Sequence, residues 1–177
     1  VANGGVDTTA VSIASTVAVN AVNDAPILSA TATSPTFTED ASAQTLFSGA
    51  SVSVVEAGQA IKSLTFTVSG LQNGSAEQIS VDGSLISLAN GTGTTTTNGM
   101  TYTVSVVSGT ATIVLDKAAG VSTANVASLI NSMTYQNTSQ DPTAGNRVVT
   151  LTQIKDTGGV ANGGVDTTAV SIASTVA

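Results

Sequence analysis

The chain has 177 residues and a net charge of −7, because eleven Asp and Glu face only four Lys and Arg. It contains no Cys and no His, which excludes a disulfide framework, a thiolate zinc site and His-based acid–base catalysis. We therefore expect a protein that is not an enzyme and whose partners are cations rather than nucleic acid.

The composition favours strands and turns. Only 8% of the residues are charged and 3% are aromatic, and Thr, Ser, Val, Ala and Gly dominate. Residues that are β-branched suit strands, and Gly suits turns. No apolar run of about 18 residues is present and no charged segment precedes a short apolar one, so the sequence predicts neither membrane insertion nor a signal peptide in this stretch.

The chain begins with a stretch that occurs twice. Residues 1–18 read VANGGVDTTAVSIASTVA, and residues 160–177 read the same letters. The separation of the copies is that of a domain, not the roughly 20–50 residues of a solenoid repeat. We expect one full repeat of a tandem array, preceded at residues 1–20 by the last strand of the previous repeat. The alternation of Val11, Ile13 and Val17 indicates that strand.

Residues 21–26, AVNDAP, predict an interdomain linker. Asn and Asp favour turns, and Pro26 forces the residue before it into an extended conformation. We expect residues 27–177 to form the domain, which would begin with a strand over 27–33 and 36–38 that is broken at Pro35.

Alternation with a period of two predicts further short strands. They are expected at residues 52–54, 64–68, 79–81, 85–88, 102–106 and 111–115. Asp82-Gly83 and Ser108-Gly109 each indicate a two-residue hairpin turn. Residues 90–99 contain Gly, Thr and Asn but no apolar side chain, which predicts a loop.

One helix is predicted from Thr123 to Met133, because apolar residues recur there at helical spacing and Ser122 can cap it. Tyr135 and residues 147–154 and 167–176 then provide the closing strands. Many short strands with regular turns and one short helix indicate an all-β fold, an Ig-like or cadherin-like β-sandwich.

Carboxylates are scarce, so their positions are informative. Asp24 lies in the linker, Glu39 and Glu56 end predicted strands, and Asp156 precedes a Gly-rich turn. Loops at the ends of a sandwich bring such oxygens together, and Ca²⁺ accepts six to eight oxygens in irregular geometry. The sequence therefore favours Ca²⁺ as the cofactor.

Three motifs taken in order resemble a known family. The linker AVNDAP, the TFTED that follows it and the IKDTGG near the end resemble the cadherin-like repeats of giant bacterial adhesins, including VCBS-type modules of RTX-type proteins. The resemblance implies Ca²⁺ between successive domains. Asn23 and Asp24 would then meet Glu56 and Asp156 at the near end of the domain, and Glu39 would face the next linker at the far end.

The same resemblance implies a secreted extender module on the bacterial cell surface, exported by type I secretion, that projects a distal adhesive domain for cell adhesion and biofilm formation. Ala21 and Ala25 stand where cadherins carry further ligands, which implies fewer ions per junction. The alternative is a module that itself binds a glycan or another surface ligand, although most of the few aromatics occupy predicted core-facing positions. Since residues 1–18 duplicate the closing strand, we also expect that they can exchange with it between neighbouring chains.

Overall fold

The computed structural model describes residues 2–177, and 45% of the chain lies in strands. The fold is an all-β sandwich with one short helix, which confirms the predicted class. The strands of the described part are β1 (Ile27–Ala32), β2 (Gln44–Thr45), β3 (Phe47–Ser53), β4 (Ile61–Ser69), β5 (Glu77–Val81), β6 (Ser84–Ser87), β7 (Gly91–Thr94), β8 (Thr101–Val107), β9 (Thr110–Val121), β10 (Thr134–Asn137), β11 (Arg147–Asp156) and β12 (Thr167–Val176). The helix α1 (Thr123–Asn131) lies between β9 and β10.

Neighbouring strands pair antiparallel in every sheet of the described chain. The largest sheet has the order β12-β11-β4-β9-β8-β7, a second has the order β2-β10-β5-β6, and β1 pairs with β3. Buried side chains from the two larger sheets form one apolar core. β12 is an edge strand of the largest sheet and pairs within that sheet only with β11.

Alternate residues of the central strands fill the core, as expected for strands with one buried face. On β4, Leu64, Phe66 and Val68 are buried while the residues between them are half-buried. The register with β9 pairs Phe66 with Ile113 and Val68 with Ala111. The period-two pattern in the sequence therefore identified both the strands and their inner faces.

The helix was predicted correctly and ends two residues before the predicted end. Val126, Leu129 and Ile130 are buried, and the hydroxyl of Ser122 accepts a hydrogen bond from the amide of Asn125 (3.3 Å). The helix packs against β3, where Asn131 Oδ1 accepts from the Ala50 amide (2.9 Å). Within residues 2–177 no helix is long and apolar enough to cross a membrane.

Both predicted hairpin turns are present. Asp82 and Gly83 have φ of 51° and 74°, and Ser108 and Gly109 have φ of 48° and 72°. Two consecutive positive φ angles match the twist of the strands on either side, which is why such turns join two-residue hairpins. The strands on either side of the second turn pair as predicted, with Val107 opposite Thr110 next to the turn.

Two predictions about strands within the domain were wrong. Residues 90–99 were expected to form only a loop, but they contain the edge strand β7, which pairs with β8. None of the residues of β7 is buried, so this strand has no apolar pattern by which the sequence could reveal it. Residues 36–38 form no strand. Instead Phe37 and Pro35 both pair with Ala177, through Phe37 N–H to the Ala177 carbonyl (2.9 Å) and Ala177 N–H to the Pro35 carbonyl (3.0 Å).

The duplicated sequence has two different structures. Residues 167–176 form β12, whereas the identical residues 8–17, predicted as a strand, have no regular structure and are exposed. The short turn before each copy is nevertheless the same, because Asn3 and Asn162 both have left-handed backbones with φ of 65° and 56°. The turn is a local property, while the strand requires β11 as a partner.

Candidate functional site

Asn23 connects the linker to two loops of the domain. Its Nδ2 donates to Asp156 Oδ1 (3.1 Å) and to the carbonyl of Val165 (2.7 Å). Its Oδ1 accepts from Gln59 Nε2 (2.5 Å), and its backbone carbonyl accepts from the Val165 amide (2.9 Å). One linker residue is therefore held by loops that precede β4 and β12.

Asp24 brings Glu56 into the same group of residues. The amide of Asp24 donates to Glu56 Oε1 (3.1 Å), while the Asp24 side chain is exposed. Glu56 and Gln59 share the loop between β3 and β4, where the Gln59 amide donates to the Glu56 carbonyl (3.4 Å). We call Asn23, Asp24, Glu56, Gln59 and Asp156 the Asn23 cluster. It contains four of the five residues that the sequence suggested as metal ligands.

Asp156 is the most deeply buried carboxylate of the Asn23 cluster. It ends β11, is 1% exposed, and accepts hydrogen bonds at Oδ1 from Asn23 and from the Gly158 amide (2.8 Å). Its amide donates to the carbonyl of Asp166 (2.9 Å), which fixes the loop that leads into β12. The second carboxylate oxygen, Oδ2, has no hydrogen-bond partner.

Unpaired buried oxygens are concentrated in the Asn23 cluster. Across residues 2–177, the buried side-chain polar atoms without a hydrogen-bond partner are Glu56 Oε2, Gln59 Oε1 and Asp156 Oδ2. Leaving a buried polar atom unpaired costs about 1–3 kcal/mol, and more when the group is charged. All three atoms are acceptors, so a cation or a hydrogen-bond donor would stabilise them.

These oxygens fit a hard cation by their chemistry. Ca²⁺ binds carboxylate, amide and backbone carbonyl oxygens in flexible geometry. In the described part of the chain, no group of three or more His, Cys, Asp and Glu side chains could hold a metal ion by itself. A calcium site here therefore needs the amide oxygens of Asn23 or Gln59, or backbone carbonyls, beside the carboxylates of Glu56 and Asp156.

Gly158 makes room for the side chain of Asn23. A Cβ atom at position 158 would lie 1.9 Å from Asn23 Oδ1 and 2.4 Å from Gln59 Nε2. The next residue, Gly159, has a left-handed backbone with φ of 78° and nothing near its Cβ position. The sequence predicts a turn that contains both glycines, but it did not predict that Gly158 and Gln59 belong to the site. The signal for Gly158 was that two glycines occur in a row, although only Gly159 has a positive φ that requires glycine.

Asp166 adds a negative charge beside the loop of Asp156. Its Oδ1 accepts from the Thr167 hydroxyl (2.8 Å), and its Oδ2 lies 3.1 Å from Lys155 Nζ. The hydrogen bond from Thr167, which outweighs the opposing effect of burial, and the charge of Lys155 together hold the pKa of Asp166 below its usual value. Asp166 therefore stays ionised at neutral pH, with its charge compensated by Lys155.

Glu39, the fifth suggested ligand, is not part of the Asn23 cluster. It is exposed and lies in the loop after Phe37, whose amide pairs with the last residue of the chain at the end of β12. Asn23 pairs with Val165, just before β12 begins. The structure thus separates Glu39 from the Asn23 cluster by the length of β12. A cavity of about 310 Å³ beside Glu39 is also lined by Phe37, Tyr135, Arg147, Val176 and Ala177.

A second group of polar residues is buried inside the sandwich and was not predicted. Glu77 is completely buried, and its Oε1 accepts from Arg147 Nε (2.5 Å) and from the Tyr135 hydroxyl (3.0 Å). Its Oε2 accepts from the amides of Gln72 and Asn73 (both 2.9 Å). Since both oxygens of Glu77 are used within the protein, this network holds the two sheets together and leaves no acceptor for a ligand.

The sequence contains a signal for this network. Glu77 is in phase with the buried Ile79 and Val81, and Arg147 is in phase with the buried Val149. Two opposite charges on inward positions of neighbouring sheets indicate a buried pair. Burial and then the charge of Glu77 raise the pKa of Tyr135 far above its usual value of 10.0, which keeps the hydroxyl a donor.

Asp82, in the first hairpin turn, is also buried and paired. Its Oδ2 accepts from the Thr95 hydroxyl (2.5 Å) and the Asn98 amide (3.1 Å), and its Oδ1 accepts from Asn98 Nδ2 (2.5 Å). The carboxylate therefore organises the loop before β8.

The aromatic side chains belong to the core or pack against it. Phe47, Phe66 and Tyr135 are buried, and Phe37 and Tyr102 are partly buried.

Comparison with known proteins yields no relative. No family model matches the sequence, and neither a curated protein nor a solved structure matches it. The features of the molecule that bear on its function are therefore the Asn23 cluster, its unpaired oxygens and the repeated sequence.

Proposed function

We propose that the chain is a structural extender module of a long repetitive bacterial surface adhesin, and that Ca²⁺ at its domain junctions makes the array rigid. In this proposal the module is a cadherin-like repeat of an RTX-type protein, is exported by type I secretion, and projects a distal adhesive domain for cell adhesion and biofilm formation. The observation that carries the proposal is the concentration of unpaired buried oxygens where the linker meets the domain.

The hydrogen bonds of Asn23 support a role at the junction. They fix the last residues of the linker to Gln59, Asp156 and Val165. When bound, Ca²⁺ would supply a positive charge to oxygens that belong to both the linker and the domain loops. A linker tied at several points loses its freedom to bend. Binding to the ordered state alone would also stabilise it by RT ln(1 + [Ca²⁺]/Kd).

The repeated sequence supports an array. Residues 1–18 and 160–177 are identical, and each copy is a candidate closing strand of a domain. Extracellular modules typically bind Ca²⁺ with a Kd of roughly 10⁻⁴–10⁻³ M. Junctions of this affinity would be empty in the cytosol and filled outside the cell, so the array would become stiff only after export.

Calorimetric titration with Ca²⁺ tests the proposal. We expect the wild-type chain, which carries one side of a junction, to bind at the weak end of this range, with a Kd of about 10⁻³ M. Asp156→Asn should weaken binding at least about tenfold, because it removes a charge from the ligand oxygens. Glu56→Gln should act in the same direction.

The matched control is Asp141→Asn, which removes an exposed carboxylate from the loop before β11. That loop lines the cavity near Glu39, at the other end of the domain. We expect the control to bind as the wild type does. No binding by the wild-type chain at millimolar Ca²⁺, or an equal loss in Asp141→Asn and Asp156→Asn, would refute the calcium site.

A further inference from the structure

We propose that residues 8–17 of one molecule can occupy the position of β12 in a second copy of this chain, so that molecules join head to tail. The two segments are identical in sequence, and only one of them has a partner strand. The occupant of the site beside β11 is thus a segment of the same protein. The inference concerns strand pairing and does not depend on Ca²⁺.

The unpaired copy exposes the side chains that β12 buries. Val17 is 80% exposed, whereas Val176, at the same position of the repeat, is 3% exposed. Ile13 is 89% exposed, whereas its counterpart Ile172 packs against the core. An exposed strand-forming segment with an apolar face tends to pair with an available sheet. Here the sheet that fits it residue by residue is the one that contains β11.

A donated copy would make the same contacts as β12. In the present pairing, Arg147 lies opposite Val176, Leu151 opposite Ile172 and Lys155 opposite Thr167. Because the register of a half-buried strand is set by its apolar pattern, an identical segment must adopt the same register. The turn that precedes β12 is also preformed in the first copy, since Asn3 has the left-handed backbone found at Asn162.

The reach of the chain excludes exchange within one molecule while Asn23 is in place. Asn23 is bonded to Val165, and the position of Val176 lies eleven strand residues further on, about 36 Å away at roughly 3.3 Å per residue. Val17 precedes Asn23 by only six positions, and the chain between them spans at most about 22 Å. Residues 8–17 can therefore replace β12 only in another molecule.

Head-to-tail exchange would recreate the order of a tandem array. The acceptor domain would be closed by the donor's first copy, which continues directly into the donor's linker and domain. Such a contact uses different surfaces on the two molecules, so it produces open chains or closed rings, depending on the rotation between neighbours. The order of strand, linker and next domain would be that of covalently joined repeats.

The concentration of the protein decides which copy occupies the site. An exchange replaces β12 by an identical strand, so the strand beside β11 is held equally strongly before and after it. The molecule's own β12 has an effective concentration in the millimolar range, as is typical for a tethered segment. At about 0.1 mM wild-type protein, molecules that keep their own β12 should therefore outnumber those that have exchanged it by roughly tenfold.

The substitution Val176→Asp shifts this balance, because it places a carboxylate at a buried position of β12 and leaves the first copy intact. We expect Val176→Asp to be mainly oligomeric by analytical ultracentrifugation at about 0.1 mM in the presence of chelator, with Val17→Asp monomeric like the wild type. The double variant Val17→Asp/Val176→Asp has no intact copy and should form no oligomers. A monomeric Val176→Asp, folded or unfolded, or an oligomeric double variant would overturn the proposal.

Disulfide trapping tests the register. Thr150 lies directly opposite Ala173 on β12, and Ala14 is the counterpart of Ala173 in the first copy. Adding Thr150→Cys and Ala14→Cys to the Val176→Asp chain, which has no native Cys, should produce disulfide-linked multimers on oxidation. Thr150→Cys with Ser15→Cys is one residue out of register and should not cross-link. Equal cross-linking of the two pairs, or none of the first, would contradict exchange in this register.

Discussion

Glu77 and Asp156 are buried carboxylates with opposite surroundings. Both oxygens of Glu77 accept hydrogen bonds from within the protein, whereas Asp156 Oδ2 accepts none. Buried polar groups in native proteins are generally paired, so an exception requires an explanation such as a bound ion. At the scale of single residues, this contrast separates a carboxylate that stabilises the fold from one that can bind a ligand.

Gly158→Ala should release Asn23 from the domain, because the added Cβ would overlap Asn23 Oδ1. The amide of Val165 donates to the Asn23 carbonyl, so we expect its hydrogen exchange to become at least about tenfold faster as this bond opens more often. Gly91→Ala is the matched control, since its Cβ would make only an ordinary contact of 3.8 Å with the Ala89 carbonyl. Unchanged protection of Val165 in Gly158→Ala would contradict the tight approach.

Tyr135 should make the protein sensitive to alkaline pH. Its folded pKa is raised above the unfolded value of about 10, so its contribution to stability is complete below pH 10 and is lost as the pH rises further. We expect urea unfolding between pH 8 and 11 to show a loss of stability above about pH 10 that is reduced in Tyr135→Phe. Tyr102→Phe, at a half-buried position on β8, should keep the wild-type slope. If Tyr135→Phe loses stability with rising pH as steeply as the wild type, Tyr135 is not the cause of the alkaline sensitivity.

The two copies of the repeated sequence show how an element depends on its partner. Residues 167–176 and 8–17 have the same β propensity, but only the former lie beside β11. A strand makes its hydrogen bonds with another strand, so a segment without a partner gains little from being extended. The turns at Asn3 and Asn162 are alike because their bonds are local.

The helix provides a test at the same scale. Ser122 caps α1 by accepting from the Asn125 amide, and Ser122→Ala should lower the free energy of unfolding by about 1 kcal/mol. Ser128→Ala is a suitable control, because Ser128 lies exposed in the middle of α1 and its hydroxyl bonds only to the carbonyl of Ala124. Ala is also a better helix former than Ser. Denaturant unfolding of the two variants distinguishes them. An equal effect of both would show that the cap contributes nothing measurable.

The whole molecule ties its linker to one end and its chain terminus to the other. The Asn23 cluster lies before β12 and Glu39 lies near its end. In an array, the near end of one domain would then face the far end of the previous one. Junctional Ca²⁺ would draw ligands from both, which a single chain cannot supply completely.

A chain of two covalently joined repeats should therefore bind Ca²⁺ more tightly at its internal junction than the present chain does, by at least about tenfold if the second domain adds a charged ligand. Calorimetry measures this difference. Small-angle scattering of the same two-repeat chain should show a smaller radius of gyration after chelation, while the single chain changes little. Equal affinities, or a shape that is independent of Ca²⁺, would count against junctional calcium.

Much of the fold could be predicted because its signals are local. The turns at Asp82-Gly83 and Ser108-Gly109, the capped helix and the alternating strands on either side of the core each depend on a few neighbouring residues. The resemblance to cadherin-like repeats implied that Asn23, Asp24, Glu56 and Asp156 meet at one end of the domain, and their hydrogen bonds bring them together. What stayed hidden were contacts between residues far apart in sequence, such as Gln59 and Gly158 around Asn23.

The amino-acid order alone established the class of fold, the inner faces of the central strands and the duplication. Tertiary structure decided which copy of the duplicated segment became a strand, that β7 exists, and that Glu77 pairs with Arg147 while Asp156 keeps an open oxygen. The physical reason is that turns, caps and alternation depend on short-range geometry, whereas strand pairing and the satisfaction of buried charges depend on which distant segments fold together.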